Sequence, residues 1–437
     1  MTDNEKIMLA GCAAGAAAAT VPAVYGYVKA NSVRPICDAD FLRAENGGFV
    51  SDCGESFTLR GINLNDDFFY YKKDDLPFPS RTADVFAALE SRFGRYGARQ
   101  LAKNWNENFI APSDLKYIRK LGANCVRIPL RYRNLYSKEN CKGDPDFERL
   151  DFLVEKCKKA GIYVIFDMHS APGFQNTDSA CGKDEESVLF DSGKAGFDAR
   201  NTAIRVWTQI AVHFKDEPAV AAYDLLNRPL NRVAGWEEKL DTLHKFYRRL
   251  YKAIRSVDER HTIIMEAVSS PDTLPDSEKW KGENVAFGLY SHFHTTFETD
   301  ALISKVRALK SSGIPFIVCK IRSEENIAYS LQAMNDNGIS WLAGDFKGCG
   351  SRSDFLFGAN VEEADLVSDS YETIGEKWSK PLATKNFTEN KEMKLILKDA
   401  FKYGGSFAEF RKAPKGKMKF KAKIGFHVVN GITPKNA

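Results

Sequence analysis

The chain has 437 residues, 43% of them hydrophobic and 12% aromatic, enough to bury a large core. Its 62 basic residues nearly balance 58 acidic ones, a net charge of +4, which excludes a body that holds nucleic acid by charge alone. Length by itself would suit two or three domains, but α/β barrels run past about 250 residues as one unit.

Nine cysteines, at 12, 37, 53, 125, 141, 157, 181, 319 and 349, show no CxxC pair and no zinc spacing. That scatter suits reduced, buried thiols in a large domain, so neither a metal site nor a cofactor is expected.

Residues 1–34 form the first segment. From Ile7 to Val28 there is no charge, a length that can span a bilayer, though Ala, Gly and Pro22 keep it weakly hydrophobic. The acidic start "MTDNEK" argues against a secretory signal, so an uncleaved anchor is the first reading; a cleaved signal and an ordinary apolar helix are the others. Lys29 and Arg34 after the run, against Lys6 before it, place the body on the cytoplasmic side of a membrane.

Short β-branched or aromatic runs then recur at 56–63, 124–130, 162–169, 219–227, 262–267, 284–293, 315–321 and 339–346. Stretches with apolar residues every three or four positions separate many of them, at 148–161, 236–258 and 300–313 for example. Eight continuous apolar strands, mostly separated by helices, are buried on both faces and therefore parallel. The expected fold is a (β/α)8 TIM barrel over residues 50–350, followed by a helical extension over 351–410 and a basic tail over 411–437.

In such a barrel the working residues stand at the C-terminal ends of the strands. Those ends carry Arg60, Asn63, Arg127, Asp167, His169, Asn227, Arg228, Glu266, His292, His294, Lys320, Trp341 and Asp345. A lone His or Arg there is usually a hydrogen-bonding surface group; a ring of them around one mouth points to a site.

The motifs "LRGINL" (59–64), "NFIAPSDLKYIRKLGANCVRIPL" (108–130), "VIFDMHSAPGFQN" (164–176) and "YDLLNRPL" (223–230) come first. "YSHFH" (290–294), "IPFIVCK" (314–320) and "GISWLAGDFKG" (338–348) continue in order. With these the chain resembles glycoside hydrolase family 5, the cellulase-like barrels, and most of all the branch of exo-1,3-glucanases and endoglycoceramidases. The resemblance implies the barrel and, for typical members, retaining hydrolysis of β-glycosides.

Retaining hydrolysis needs two carboxyls about 5 Å apart, one as nucleophile and one as acid/base. The resemblance puts the acid/base at Arg228, where the family reads Asn-Glu-Pro, and the nucleophile at Lys320. An arginine does not give up its proton near neutral pH, and a lysine forms no glycosyl ester. The family's His-x-Tyr reads His292-Phe293-His294, its second strand-eight Trp reads Gly344, and Cys319 replaces a Gly. Arg127, His169, Asn227 and His292 match.

The expectation is a pseudoenzyme, not a glycosidase: a binding or structural component, membrane-associated through residues 7–28. Arg127, His169, Asn227, His292, His294 and Trp341 are its candidate ligand-binding residues. The rival is an active β-glycosidase using displaced carboxylates, with Glu266 as the best spare acid, since Asp167 and Asp224 read as structural. Lys320 as a Schiff-base amine is a third reading. The basic pocket around Arg127, Arg228 and Lys320 either takes an anionic small ligand or sugar, or is closed by internal ion pairs.

Beyond the resemblance, 364–380 and 389–405 read as helices packing on the barrel. Residues 411–423 carry seven Lys or Arg and no acid. This is a solvated arm or a docking element for a protein partner or anionic membrane surface, where each charge adds about 1 kcal/mol. No nucleic-acid recognition fold accompanies it.

Overall fold

The structure is a computed structural model. It describes residues 34–64, 82–136, 141–178, 181, 187–309, 312–322, 326–349, 356–359 and 361–402. The segment 7–28 and the basic stretch 411–423 lie outside the described residues. Among the described residues no helix is long and apolar enough to cross a membrane.

The chain opens with a three-stranded antiparallel sheet, β1 (Leu42–Glu45), β2 (Gly48–Ser51) and β3 (Ser56–Phe57). Eight parallel strands follow: β4 (Arg60–Asn63), β5 (Cys125–Arg131), β6 (Tyr163–Ser170), β7 (Val220–Asp224), β8 (Thr262–Glu266), β9 (Val285–His292), β10 (Phe316–Arg322) and β11 (Ser340–Asp345). They pair in chain order and β11 closes on β4, so the expected (β/α)8 barrel is what forms. The run at 56–63 divides in two: Ser56–Phe57 joins the small sheet and Arg60–Asn63 starts the barrel. The small sheet covers the N-terminal end of the strands, where Tyr163 donates to the Asp40 carbonyl and Asn284 accepts from the Ala44 amide.

The outer layer comprises α1 (Thr82–Phe109, broken at Gly94 by φ 68°), α2 (Pro112–Leu121) and the single turn α3 (Tyr132–Leu135). It continues with α4 (Glu148–Lys159), α5 (Lys194–Phe214), α6 (Trp236–Arg255), α7 (Thr296–Leu309) and α8 (Ile327–Asp336). In α6 the buried residues Leu243, Phe246, Tyr247, Leu250 and Ile254 follow the three-and-four spacing that makes one apolar stripe.

After β11 come a short sheet of β12 (Lys347–Cys349), β13 (Phe357–Ala359) and β14 (Thr388–Glu389), then α9 (Tyr371–Lys377) and α10 (Lys391–Lys402). The last helix packs into the outer layer: Phe401 stacks on Trp341 with ring centres 5.1 Å apart, and Asn335 donates to the Ala400 carbonyl. The barrel wall is tight. A Cβ on Gly61 would stand 2.3 Å from the Cys125 carbonyl oxygen, so no larger residue fits between β4 and β5.

Candidate functional site

Strand alternation sends Arg127, Asp167, Asp224 and Glu266 to the barrel interior, where they meet. Arg127 is 1% exposed and lies among three carboxylates. It donates through Nε (2.9 Å) and Nη2 (2.6 Å) to Asp224 Oδ2, and through Nη2 to Glu266 Oε1 at 2.7 Å. Its Nη1 lies 3.0 Å from Asp167 Oδ2. Weaker contacts reach Asn63 Oδ1 at 3.4 Å and Asn227 Oδ1 at 3.3 Å. Burial opposes the charge on Arg127, but the fields of Asp167, Asp224 and Glu266 outweigh it and raise the guanidinium well above its ordinary value.

One guanidinium cannot neutralise three carboxylates. Burial raises both Asp224 and Glu266 above the usual carboxylate range, further helped by Asp167. Both shifts run the same way, so the pair under Arg127 favours holding a proton rather than two full charges. His169 Nδ1 is hydrogen-bonded to Asp167, and Asn227 Nδ2 approaches His169 Nε2 at 3.4 Å, so both ring nitrogens are tied into the cluster.

Asp224, Glu266 and Cys319 bring their ligand atoms within 4.8 Å of one another, the spacing of a metal site. The chemistry does not fit a cation. Arg127 already occupies both carboxylates, and burial, then Asp224 and Glu266, push the Cys319 thiol well up, away from the thiolate a metal needs.

Above this layer stand Lys320 and Arg228. Lys320 Nζ lies 2.7 Å from Asp345 Oδ1, both side chains 0% exposed. Arg228 Nη1 lies 2.9 Å from Asp178 Oδ2, and its guanidinium covers the Tyr290 ring at 4.2 Å. Tyr290 is also 5.8 Å from Lys320 Nζ, and its hydroxyl accepts from Arg322 at 3.3 Å. The loop carrying Arg228 bends through three non-glycine residues in the left-handed region, Arg228 (φ 47°), Leu230 (φ 60°) and Arg232 (φ 57°). Such backbone persists only where neighbours over-determine it. Here Gln175 and Asn176 donate to the Asn227 carbonyl, Asn231 donates to both Asp178 oxygens, and Glu266 accepts from the Arg228 amide.

Among the candidate ligand-binding residues, Arg127, His169 and Asn227 come together, buried beneath the mouth. His292 and His294 stay exposed on the rim with ring centres 4.5 Å apart. Trp341 corrects the expectation: it is buried in the outer layer, stacked on Phe401, and donates to Asn335 at 2.9 Å. Arg60 likewise points outward and donates to the same Asn335 oxygen at 2.5 Å. Sequence reading missed Tyr290, Asp178 and Arg322. Tyr290 was legible from strand alternation with His292, whereas Asp178 sits on a loop that no periodicity describes.

With its amine paired to Asp345 as an ammonium, Lys320 is not arranged as the neutral nucleophile that Schiff-base chemistry requires. The mouth offers the partly exposed Arg228 and the exposed histidines; Lys320 is sealed against Asp345, and the carboxyls below are engaged by Arg127.

The family model for cellulase (glycosyl hydrolase family 5) matches residues 89–360. A beta-xylosidase of Phanerodontia chrysosporium is 27% identical over 58% of this chain, and the match spans about half (52%) of that protein. A glucan 1,3-beta-glucosidase of Pichia angusta is 24% identical over 70% of this chain and 68% of its own length. Among solved structures, an endogalactoceramidase superposes with a TM-score of 0.52 at 18% identity, covering 77% of this chain and 84% of that one, a likeness of fold. The cellulase model alone spans more than half of the sequence, from within α1 to just past β13, and takes in the barrel strands β5 to β11: the chain belongs to glycosyl hydrolase family 5.

Proposed function

We propose that this barrel has lost glycoside hydrolysis and serves as a binding or structural component of a membrane-associated assembly. One observation carries the reading: Arg228 and Lys320, at the positions where the family resemblance expects the acid/base and the nucleophile, are each held in an ion pair, with Asp178 and Asp345. A retaining mechanism needs a carboxylate free to attack and a second that cycles its proton. Lys320 and Arg228 supply neither.

The rival reading is an active β-glycosidase using other carboxyls. It draws on Glu266, whose raised pKa is what a general acid needs. Against it, Glu266 is 1% exposed, and its two oxygens accept from Arg127 and from the Arg228 amide. The test is hydrolysis of aryl β-glucosides and of β-1,3- and β-1,4-glucans by the full-length chain. No turnover above the uncatalysed background is expected. Turnover that disappears in Glu266→Gln would establish the rival.

A further inference from the structure

A cavity of about 650 Å³ lies outside the barrel wall, between the outer side of β5 and the helices α1, α3 and α4. Its volume falls in the range of small-molecule sites. The rings of Phe86, Trp105 and Phe152 line it, five basic side chains face three acidic ones on its walls, and neither Arg127, Arg228 nor Lys320 reaches it. Polar atoms on these walls that are sealed from solvent without a hydrogen-bond partner include the donor Arg99 Nη1 and the acceptor Asn134 Oδ1. The other terminal nitrogen of Arg99 stands 3.5 Å from the Asp146 carboxylate, which turns the guanidinium without using Nη1. Folded chains pair nearly all their buried donors and acceptors, so an unpaired donor and an unpaired acceptor on one ring-lined cavity mark places for ligand atoms.

We propose that this cavity binds a hydroxylated aromatic carboxylate. The ligand's rings pack against Phe86, Trp105 and Phe152. Its carboxylate accepts from Arg99 Nη1, and its hydroxyl donates to Asn134 Oδ1. The excess of basic side chains selects the anion over a neutral ligand of the same shape.

Calorimetric titration of the full-length chain with 6-hydroxy-2-naphthoate, and with 6-hydroxy-2-naphthamide as its neutral counterpart, tests this. The acid binds more tightly than the amide. Arg99→Gln, on the partly exposed face of α1, weakens the acid by about tenfold or more and leaves the amide unchanged, because a charged hydrogen bond is lost and the apolar contacts remain. Ala102→Trp, which fills the cavity from α1, removes binding of both; should that variant unfold, the Arg99→Gln comparison decides alone. Equal binding of acid and amide by the unaltered chain, binding insensitive to Arg99→Gln, or no heat at millimolar ligand overturns the proposal.

Discussion

Lys320 Nζ lies 2.7 Å from Asp345 Oδ1, and solvent reaches neither side chain. Two barrel strands that meet side by side, β10 and β11, thus supply both halves of one buried ion pair. A buried pair adds little net stability over apolar residues of the same size, but removing one partner is expensive. Asp345→Asn strands the ammonium and is expected to cost about 3 to 5 kcal/mol in urea denaturation. Lys320→Met costs less, because Arg322 Nη2 remains 3.6 Å from Asp345. The double variant Lys320→Met, Asp345→Leu recovers most of the loss. Equal losses in the two single variants would show that Arg322 gives Asp345 no support.

The carboxyl cluster under Arg127 makes stability depend on pH in an unusual direction. Burial raises Glu266 well above its ordinary 4.5 and Asp224 above its 3.8. A carboxyl raised in the folded chain keeps a proton there that the unfolded chain has already released. Its stabilisation is complete below the unfolded pKa and is lost as pH rises through the folded one. From about pH 4.5 upward the cluster therefore removes up to about 1.4 kcal/mol per pH unit for each shared proton. Glu266→Gln fixes the neutral form and should flatten that slope. Parallel stability-versus-pH curves for the two proteins would mean that no proton is shared.

Much of this was legible in the sequence. Eight apolar runs with helical spacing between them required a parallel barrel, and the motif order brought Arg127, His169 and Asn227 together beneath one mouth. The errors share a physical cause. A bulge at Gly344 shifts the register between Ala343 and Asp345, so Asp345 faces inward while Trp341 faces α10. Without that extra residue the two would share a face, as plain alternation assumes. A second shift between Val318 and Lys320 lets both Cys319 and Lys320 reach the interior. Asp178 was invisible for another reason. It reaches Arg228 from a loop whose shape is set by the Asp178 amide donating to Asn176 Oδ1 and by Asn231 donating to the Asp178 carboxylate, rather than by any period in the sequence.

Anchoring is read out separately from the barrel. If residues 7–28 enter a bilayer, the full-length chain sediments with membranes and resists a high-salt wash, which releases proteins held by charge alone. Removing residues 1–33 should leave a soluble, cooperatively folding protein, since the Arg34–Asp40 ion pair and the sheet that follows it are retained. Full-length chain that stays in solution without detergent, with Met1 in place, would sink the anchor.

The last prediction separates a closed mouth from an anion site. Two bare cations beside one ring repel (charges about 5 Å apart would do so by about 3 kcal/mol at an effective dielectric near 20), so protein carboxylates or a bound anion must relieve Arg228 and Lys320 around Tyr290. Asp345 serves Lys320, and Asp178 serves Arg228, with Arg232 Nε a further 3.5 Å from the same carboxylate. Sulfate or phosphate at millimolar concentration should therefore not raise the melting temperature more than chloride of equal ionic strength. Asp178→Asn keeps a hydrogen-bonding side chain near Asn231 but withdraws the charge from Arg228 and Arg232. In that variant sulfate should raise the melting temperature, because the two guanidiniums, 29% and 75% exposed, then face solvent with no counter-charge from Asp178. Anion-dependent stabilisation of the unaltered chain that Arg228→Glu removes would instead mean that the mouth takes an anionic ligand in spite of its ion pairs.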